Sequence, residues 1–105
     1  MVDNNKKLTL QEAQSKIREI AKWGSVIWTD HYYDRTNHRN YSSQDICFIL
    51  KKGTVKEPPE YDEDYCNWKY KVECKTIDGD RAVVITVILS YRELLAITIM
   101  PKKEI

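Results

Sequence analysis

The sequence predicts an α+β fold, with two or three N-terminal helices packed on one face of a roughly four-stranded antiparallel sheet. Three observations predict it. Two segments before residue 54 open on capping-box pairs and then carry apolar residues at helical spacing. From Thr54 onward the apolar period changes to two. Asp78-Gly79, a strong signal for a tight hairpin, stands between two of these alternating runs. Helices first and hairpin-linked strands afterwards place the helices on one side of the sheet.

With 105 residues the chain makes a single domain with a core of its own. Residues 1–8 read as a flexible leader, 9–101 as the domain and 102–105 as a polar tail. Thr9 and Glu12 have capping-box spacing, and Leu10, Ala13, Ile17, Ile20 and Ala21 follow a helical period. The first helix therefore runs from Leu10 to Trp23. Lys16, Arg18, Glu19 and Lys22 take its water face, and Gly24 suits a left-handed stop. Ser25 to Thr29 is a brief strand or an extended connector. Thr29 or Asp30 can cap a second, short helix from His31 to Arg39.

Ser42 and Asp45 repeat the capping-box spacing, and Tyr41 with Ile46 occupies the two positions of a hydrophobic staple. Ile46, Ile49 and Leu50 form the inner face of that helix, and Gly53 ends it. Thr54 to Glu57 reads as a strand stopped by Pro58 and Pro59. Glu57 to Asp64 reads as an exposed acidic loop. In Cys66 to Thr76, Trp68, Tyr70, Val72 and Cys74 alternate with Lys69, Lys71, Glu73 and Lys75, so one face is apolar and one is wet. Arg81 to Leu89 and Leu94 to Met100 are the last two strands. In the first of these both alternating sets are apolar: Val83, Ile85, Val87 and Leu89 against Ala82, Val84, Thr86 and Ile88. A sheet with one wet face does not have this pattern, so a cover over part of the second face is expected.

Charge and cysteine content remove several function classes. Lys and Arg total 17 against 16 Asp and Glu, so no global field draws the protein to nucleic acid or membrane, and any anion site is local. Cys47, Cys66 and Cys74 are odd in number and lack a CxxC or Cys/His pattern, which argues against a disulfide framework and a zinc site. A reducing, cytoplasmic setting is expected. The opening MVDNNKK lacks the apolar stretch of a signal peptide. The run from Ala82 to Leu89 is too short to span a bilayer, so no membrane role is expected. No cofactor is expected.

The chemistry concentrates in His31 to Asp45. His31, Arg35 and Arg39 stand at steps of four, which on a helix stacks one imidazole and two guanidiniums roughly 5–6 Å apart at Cβ. Like charges at this spacing repel mildly, and an anion between them offsets the repulsion. Guanidinium forks match phosphate oxygens two at a time. A solvated helix face with an incidental histidine is the plain alternative. His38 reads as an exposed helix residue. Lys69, Lys71 and Lys75 form either an RNA-facing stripe or a solvated sheet face. Lys51, Lys52 and Lys56 suit the negative end of a helix dipole. Trp23, Trp28 and Trp68 suit base stacking or packing.

The order and spacing of several motifs resemble the bacterial family known as domain of unknown function 4258. The matching residues are His31, Arg35, Arg39, Ser42, Asp45, Ile46, Leu50, Gly53, Trp68, Tyr70, Val72, Asp78, Gly79, Ile97, Thr98 and Ile99, spanning Thr29 to Met100. Asn40 stands where the family usually has glycine, and Met100 where an aromatic is common. The resemblance implies the fold of RelE- and barnase-like ribonuclease toxins. It also implies a neighbouring antitoxin gene with a zinc-finger and helix-turn-helix build. On that reading the protein is a toxin-type endoribonuclease that uses the ribose 2′-hydroxyl as nucleophile.

His31 then moves the proton, and Arg35 and Arg39 hold the phosphate and offset its growing charge. Thr98 and Tyr70 are further candidates, each able to donate to a phosphate oxygen. Tyr70 equally suits the core, and Thr98 equally suits an ordinary strand. The residues around His31 supply no carboxylate cluster, and Asp62 to Asp64 lack calcium-loop spacing, so metal-free cleavage is expected. RNA is one expected partner. An antitoxin or a second copy across the apolar strands is the other. The alternative is a non-catalytic protein- or RNA-binding module of the same fold, which suits the near-neutral charge and the acidic loop.

Overall fold

Thr9 and Ser42 each open a helix through a reciprocal pair of hydrogen bonds. The Glu12 N–H donates to Thr9 Oγ1 at 3.1 Å and the Thr9 N–H to Glu12 Oε1 at 3.1 Å. The Asp45 N–H donates to Ser42 Oγ at 3.2 Å and the Ser42 N–H to Asp45 Oδ2 at 3.0 Å. Each box satisfies N–H groups that the first turn leaves without partners. The structure, a computed structural model, describes residues 7–28, 42–76 and 79–101. Within them α1 is Leu10–Trp23 and α2 is Ser43–Lys52. The strands are β1 Ser25–Trp28, β2 Thr54–Val55, β3 Glu60–Asp62, β4 Asn67–Lys75, β5 Arg81–Ser90 and β6 Glu93–Pro101. The short helix expected over His31 to Arg39 lies outside the described residues.

The fold is α+β, with two helices described and a sheet of six strands rather than about four. Its order is β1-β6-β5-β4-β2, with β3 also paired to β4. The sheet is mixed, not purely antiparallel: β1 runs parallel to β6, Ser25 opposite Glu93 through Trp28 opposite Ala96. β2 and β3 share one edge of β4 and run antiparallel to it. Between them residues 56–59 oppose only Tyr70 and Lys71 (four positions against two), so the chain bulges outward there. Pro58 and Pro59 sit in that bulge, where a missing N–H costs no ladder bond. The expected strand from Thr54 to Glu57 therefore ends at Val55. The expected acidic loop contains a strand, because Glu60, Tyr61 and Asp62 pair with Lys69, Trp68 and Asn67.

Both helices cover one face. Ala13, Ile17 and Ile20 of α1 and Ile46, Ile49 and Leu50 of α2 meet Tyr70 and Val72 of β4, Ala82 and Val84 of β5, and Leu94, Ala96 and Ile99 of β6. Each buried Ile or Leu contributes about 1.5–3 kcal/mol. Arg18, assigned to water by the pattern, ties the helices together. Its Nε donates to the Gly53 carbonyl at 3.2 Å, and its Nη2 to the Gly53 and Lys52 carbonyls at 2.9 and 3.2 Å. One turn earlier, Gln14 Oε1 accepts the edge N–H of Val55 at 3.1 Å.

Gly24 is not a left-handed stop; its φ of −112° and ψ of −150° are extended. Glycine is needed there for closeness, since a Cβ would run into the Arg92 carbonyl. Left-handed backbone occurs instead at Gly79, with φ 94°, in the β4–β5 turn, where Asp78 lies outside the described residues. A register shift separates the pair Ile85–Thr98 from the pair Thr86–Ala96, leaving Ile97 as an extra residue in β6. Strict alternation would put Thr98 on the same face as Ala96. The bulge turns it to the face away from the helices.

Candidate functional site on the far face of the sheet

Cross-strand pairing defines the far face. Lys69, Lys71 and Glu73 of β4 stand opposite Val87, Ile85 and Val83 of β5, and Ile85 and Val83 stand opposite Thr98 and Met100 of β6. The face is therefore half charged and half apolar. Val87 and Thr98 are buried in it, while Val83, Ile85 and Met100 are half-buried. A groove of about 380 Å³ runs over it, lined by Glu57, Lys71, Glu73, Val83, Ile85, Met100 and Pro101.

Thr98 lies at the cross-strand partner of Ile85, in the centre of this face. It is 5% exposed, and its Oγ1 is buried with no hydrogen-bond partner among the described residues. A buried hydroxyl left unpaired costs roughly 1–3 kcal/mol, so its presence needs a reason. Thr86, one position away on the helix face, shows the usual solution: its Oγ1 donates to the Leu95 carbonyl at 2.9 Å.

Tyr70 lies on the opposite face from Thr98. It is buried in the core, and its hydroxyl accepts the Leu8 N–H at 3.0 Å. Burial raises its pKa above 10.0; the Leu8 N–H pulls the other way, and the Glu12 carboxylate adds to the rise. The phenol is thus neutral at pH 7, and its partner is the segment leading into α1. The structure does not bring Thr98 and Tyr70 together. His31, Arg35 and Arg39 lie outside the described residues.

The three lysines of the stripe have different surroundings. Lys69 Nζ is 3.3 Å from Asp62 Oδ2, and Lys71 Nζ is 3.5 Å from Glu57 Oε2 and 3.9 Å from Glu60 Oε1. The acidic segment thus neutralises these two. Desolvation pushes the Asp62 pKa up, but hydrogen bonds from Lys69 and from the Asp64 and Tyr65 N–H groups outweigh it and hold the carboxyl below 3.8. Lys75, at the far end of β4, is exposed. It shares a cleft of about 150 Å³ with Thr54, Lys56, Glu73, Cys74, Arg81 and Ala82. Lys56 reaches Glu73 there at 3.3 Å. This cleft is the more cationic end of the far face. The alternating pattern does not group Lys56 and Arg81 with Lys75, although the Asp78-Gly79 hairpin signal sets Lys75 opposite Arg81.

Of the three tryptophans, Trp28 and Trp68 pack against the core. Trp23 is 79% exposed. All three cysteines are free thiols. No described helix is long and apolar enough to cross a membrane.

Residues 28–101 match the family model described as domain of unknown function (DUF4258). No curated protein matches the chain, and no solved structure does. The match runs from Trp28, the last residue of β1, to Pro101, the last of β6, which is more than half of the chain, and the chain belongs to the domain of unknown function 4258 family.

Proposed function

We propose that this protein is a toxin-type endoribonuclease of a bacterial toxin–antitoxin pair, acting in the cytoplasm and cutting RNA without a metal ion. The observation that carries the reading is the sequence spacing of His31, Arg35 and Arg39 at steps of four, ahead of Ser42, in a family whose resemblance implies the RelE- and barnase-like toxin fold. The α+β arrangement, with helices on one side of the sheet, supports the same fold. His31 takes the proton of the ribose 2′-hydroxyl. Arg35 and Arg39 hold the scissile phosphate and offset charge on its equatorial oxygens. Thr98 adds a hydroxyl donor from the far face, and the lack of a partner for its Oγ1 among the described residues supports that role. Tyr70 serves the fold. Exposed Lys75 offers the backbone-binding surface, with Arg81 and the Glu73-paired Lys56 in the same cleft, while Lys69 and Lys71 are held in ion pairs by the acidic segment. The apolar strip of Val83, Ile85 and Met100 suits cover by an antitoxin or by a second copy.

Purified protein incubated with a structured RNA tests the reading. The intact chain should cut it, and His31→Ala should lower the rate by at least a hundredfold with an unchanged melting temperature. Equal cleavage by the variant removes His31 from the mechanism, and no cleavage by the intact chain removes the nuclease reading.

One observation favours the second reading, a non-catalytic binding module. Two of the three candidate RNA-facing lysines are neutralised by Asp62, Glu57 and Glu60, and an apolar groove lies beside them. On that reading the groove takes a partner protein, and the cleavage assay is blank.

A further inference from the structure

The two most exposed large apolar side chains among the described residues line the same groove. Trp23, the last residue of α1, is 79% exposed, and Tyr91, in the β5–β6 turn, is 66% exposed. The groove holds about 170 Å³ and is completed by Glu19, Ile20, Gly24 and Arg92. The Arg92 guanidinium carbon lies 6.0 Å from the centre of the Tyr91 ring.

The walls of this groove are joined through the backbone. The Gly24 N–H closes α1 on the Ile20 carbonyl at 2.7 Å, and the Ser25 N–H donates to the Arg92 carbonyl at 2.8 Å. Any side chain at position 24 would run into that same carbonyl. The Arg92 N–H donates to Ser90 Oγ at 3.2 Å, which fixes the turn in its own right. The helix end and the strand turn are thus locked together, and the two rings stand on a preformed frame.

We propose that this groove is a stacking subsite for one unpaired nucleobase of single-stranded RNA, an inference that rests on the RNA-acting reading above. Exposed indole and phenol faces are what a base stacks on, whatever its identity. The volume selects a small occupant, because sites enclosing drug-sized ligands run to roughly 300–1,000 Å³. A single heterocycle fits that limit. Arg92 supplies a cation for the adjoining phosphate. The Glu19 carboxylate supplies an acceptor for an N–H on the base edge.

Anisotropy of a labelled, uncleavable 2′-O-methyl RNA strand tests this. Trp23→Ala and Tyr91→Ala should each weaken binding about tenfold, and Trp23→Phe should keep most of it. Melting temperatures should not move, because neither ring is buried. An abasic unit in the strand should weaken binding to the intact protein and cost Trp23→Ala nothing further. Wild-type affinity in both alanine variants, or indifference of the intact protein to the abasic unit, overturns the subsite while leaving RNA binding in place. A wild-type chain that binds no RNA overturns the RNA reading and the subsite together. A light-scattering mass that falls on Trp23→Ala, with RNA affinity unchanged, makes the surface a contact between copies and overturns the proposal.

Discussion

Tyr70 and Thr98 leave the sheet on opposite faces: Tyr70 pairs with Thr86 on the helix side, and Thr98 pairs with Ile85 on the far side. One substrate cannot meet both hydroxyls, so their substitutions should separate stability from activity. Tyr70→Phe removes the bond to the Leu8 N–H and should cost about 1 kcal/mol in urea unfolding, with RNA cleavage unchanged. Thr98→Val removes a buried hydroxyl that has no partner among the described residues. It should leave stability equal or higher by up to about 1 kcal/mol, while cleavage falls about tenfold or more.

Arg18 should prove a structural residue despite its place on the water side of the α1 pattern. Arg18→Met keeps the apolar stem and removes three hydrogen bonds to the C-terminal carbonyls of α2. The expected loss is about 1.5–3 kcal/mol, read as a lower denaturation midpoint with an unchanged slope. Arg18→Lys should recover only part, because one ammonium cannot reproduce the guanidinium fork.

Local chemistry made some of this fold legible and long-range chemistry hid the rest. The capping boxes at Thr9 and Ser42 lie within four residues of chain, so both helices could be read with their ends. The Trp68–Tyr70–Val72 alternation likewise marked the core face of β4. β3 was not legible, because Glu60-Tyr61-Asp62 has no apolar period. Its strand geometry comes from pairing with Lys69, Trp68 and Asn67, which also cancels its charge. The parallel β1–β6 pairing joins Ser25 to Glu93, far beyond the reach of any local pattern. Arg18 misled because a charged residue at a water-facing position gives no sign of a carbonyl partner in another helix. At the candidate site, the bulge at Ile97 decides which face Thr98 takes, and nothing in Ala-Ile-Thr-Ile marks it. Trp23 looks like Trp28 and Trp68 until the packing separates them. His31, Arg35 and Arg39 lie outside the described residues, and the sequence alone speaks for them.

The β3–β4 ladder should weaken in acid. The folded pKa of Asp62 is lowered, so its contribution is present in full above the unfolded value, near 3.8, and is lost as pH falls through the lower folded value. Carbon-detected NMR titration should place the Asp62 midpoint below 3.8. Asp62→Asn should reduce the fall in stability over that acid window and leave the neutral-pH profile otherwise similar in shape. A midpoint at or above 3.8 contradicts the geometry of the Lys69 pair.

The central claim is that His31, Arg35 and Arg39 cut RNA through its own 2′-hydroxyl. The most direct measurement compares an RNA substrate with the same strand carrying one deoxyribose at the cut site, with and without EDTA. The account predicts a 2′,3′-cyclic phosphate and a 5′-hydroxyl on the products of the first, no cleavage at the substituted position of the second, and rates that EDTA leaves unchanged. Cleavage of the deoxy-substituted strand at the same position, or loss of all activity in EDTA, would contradict it.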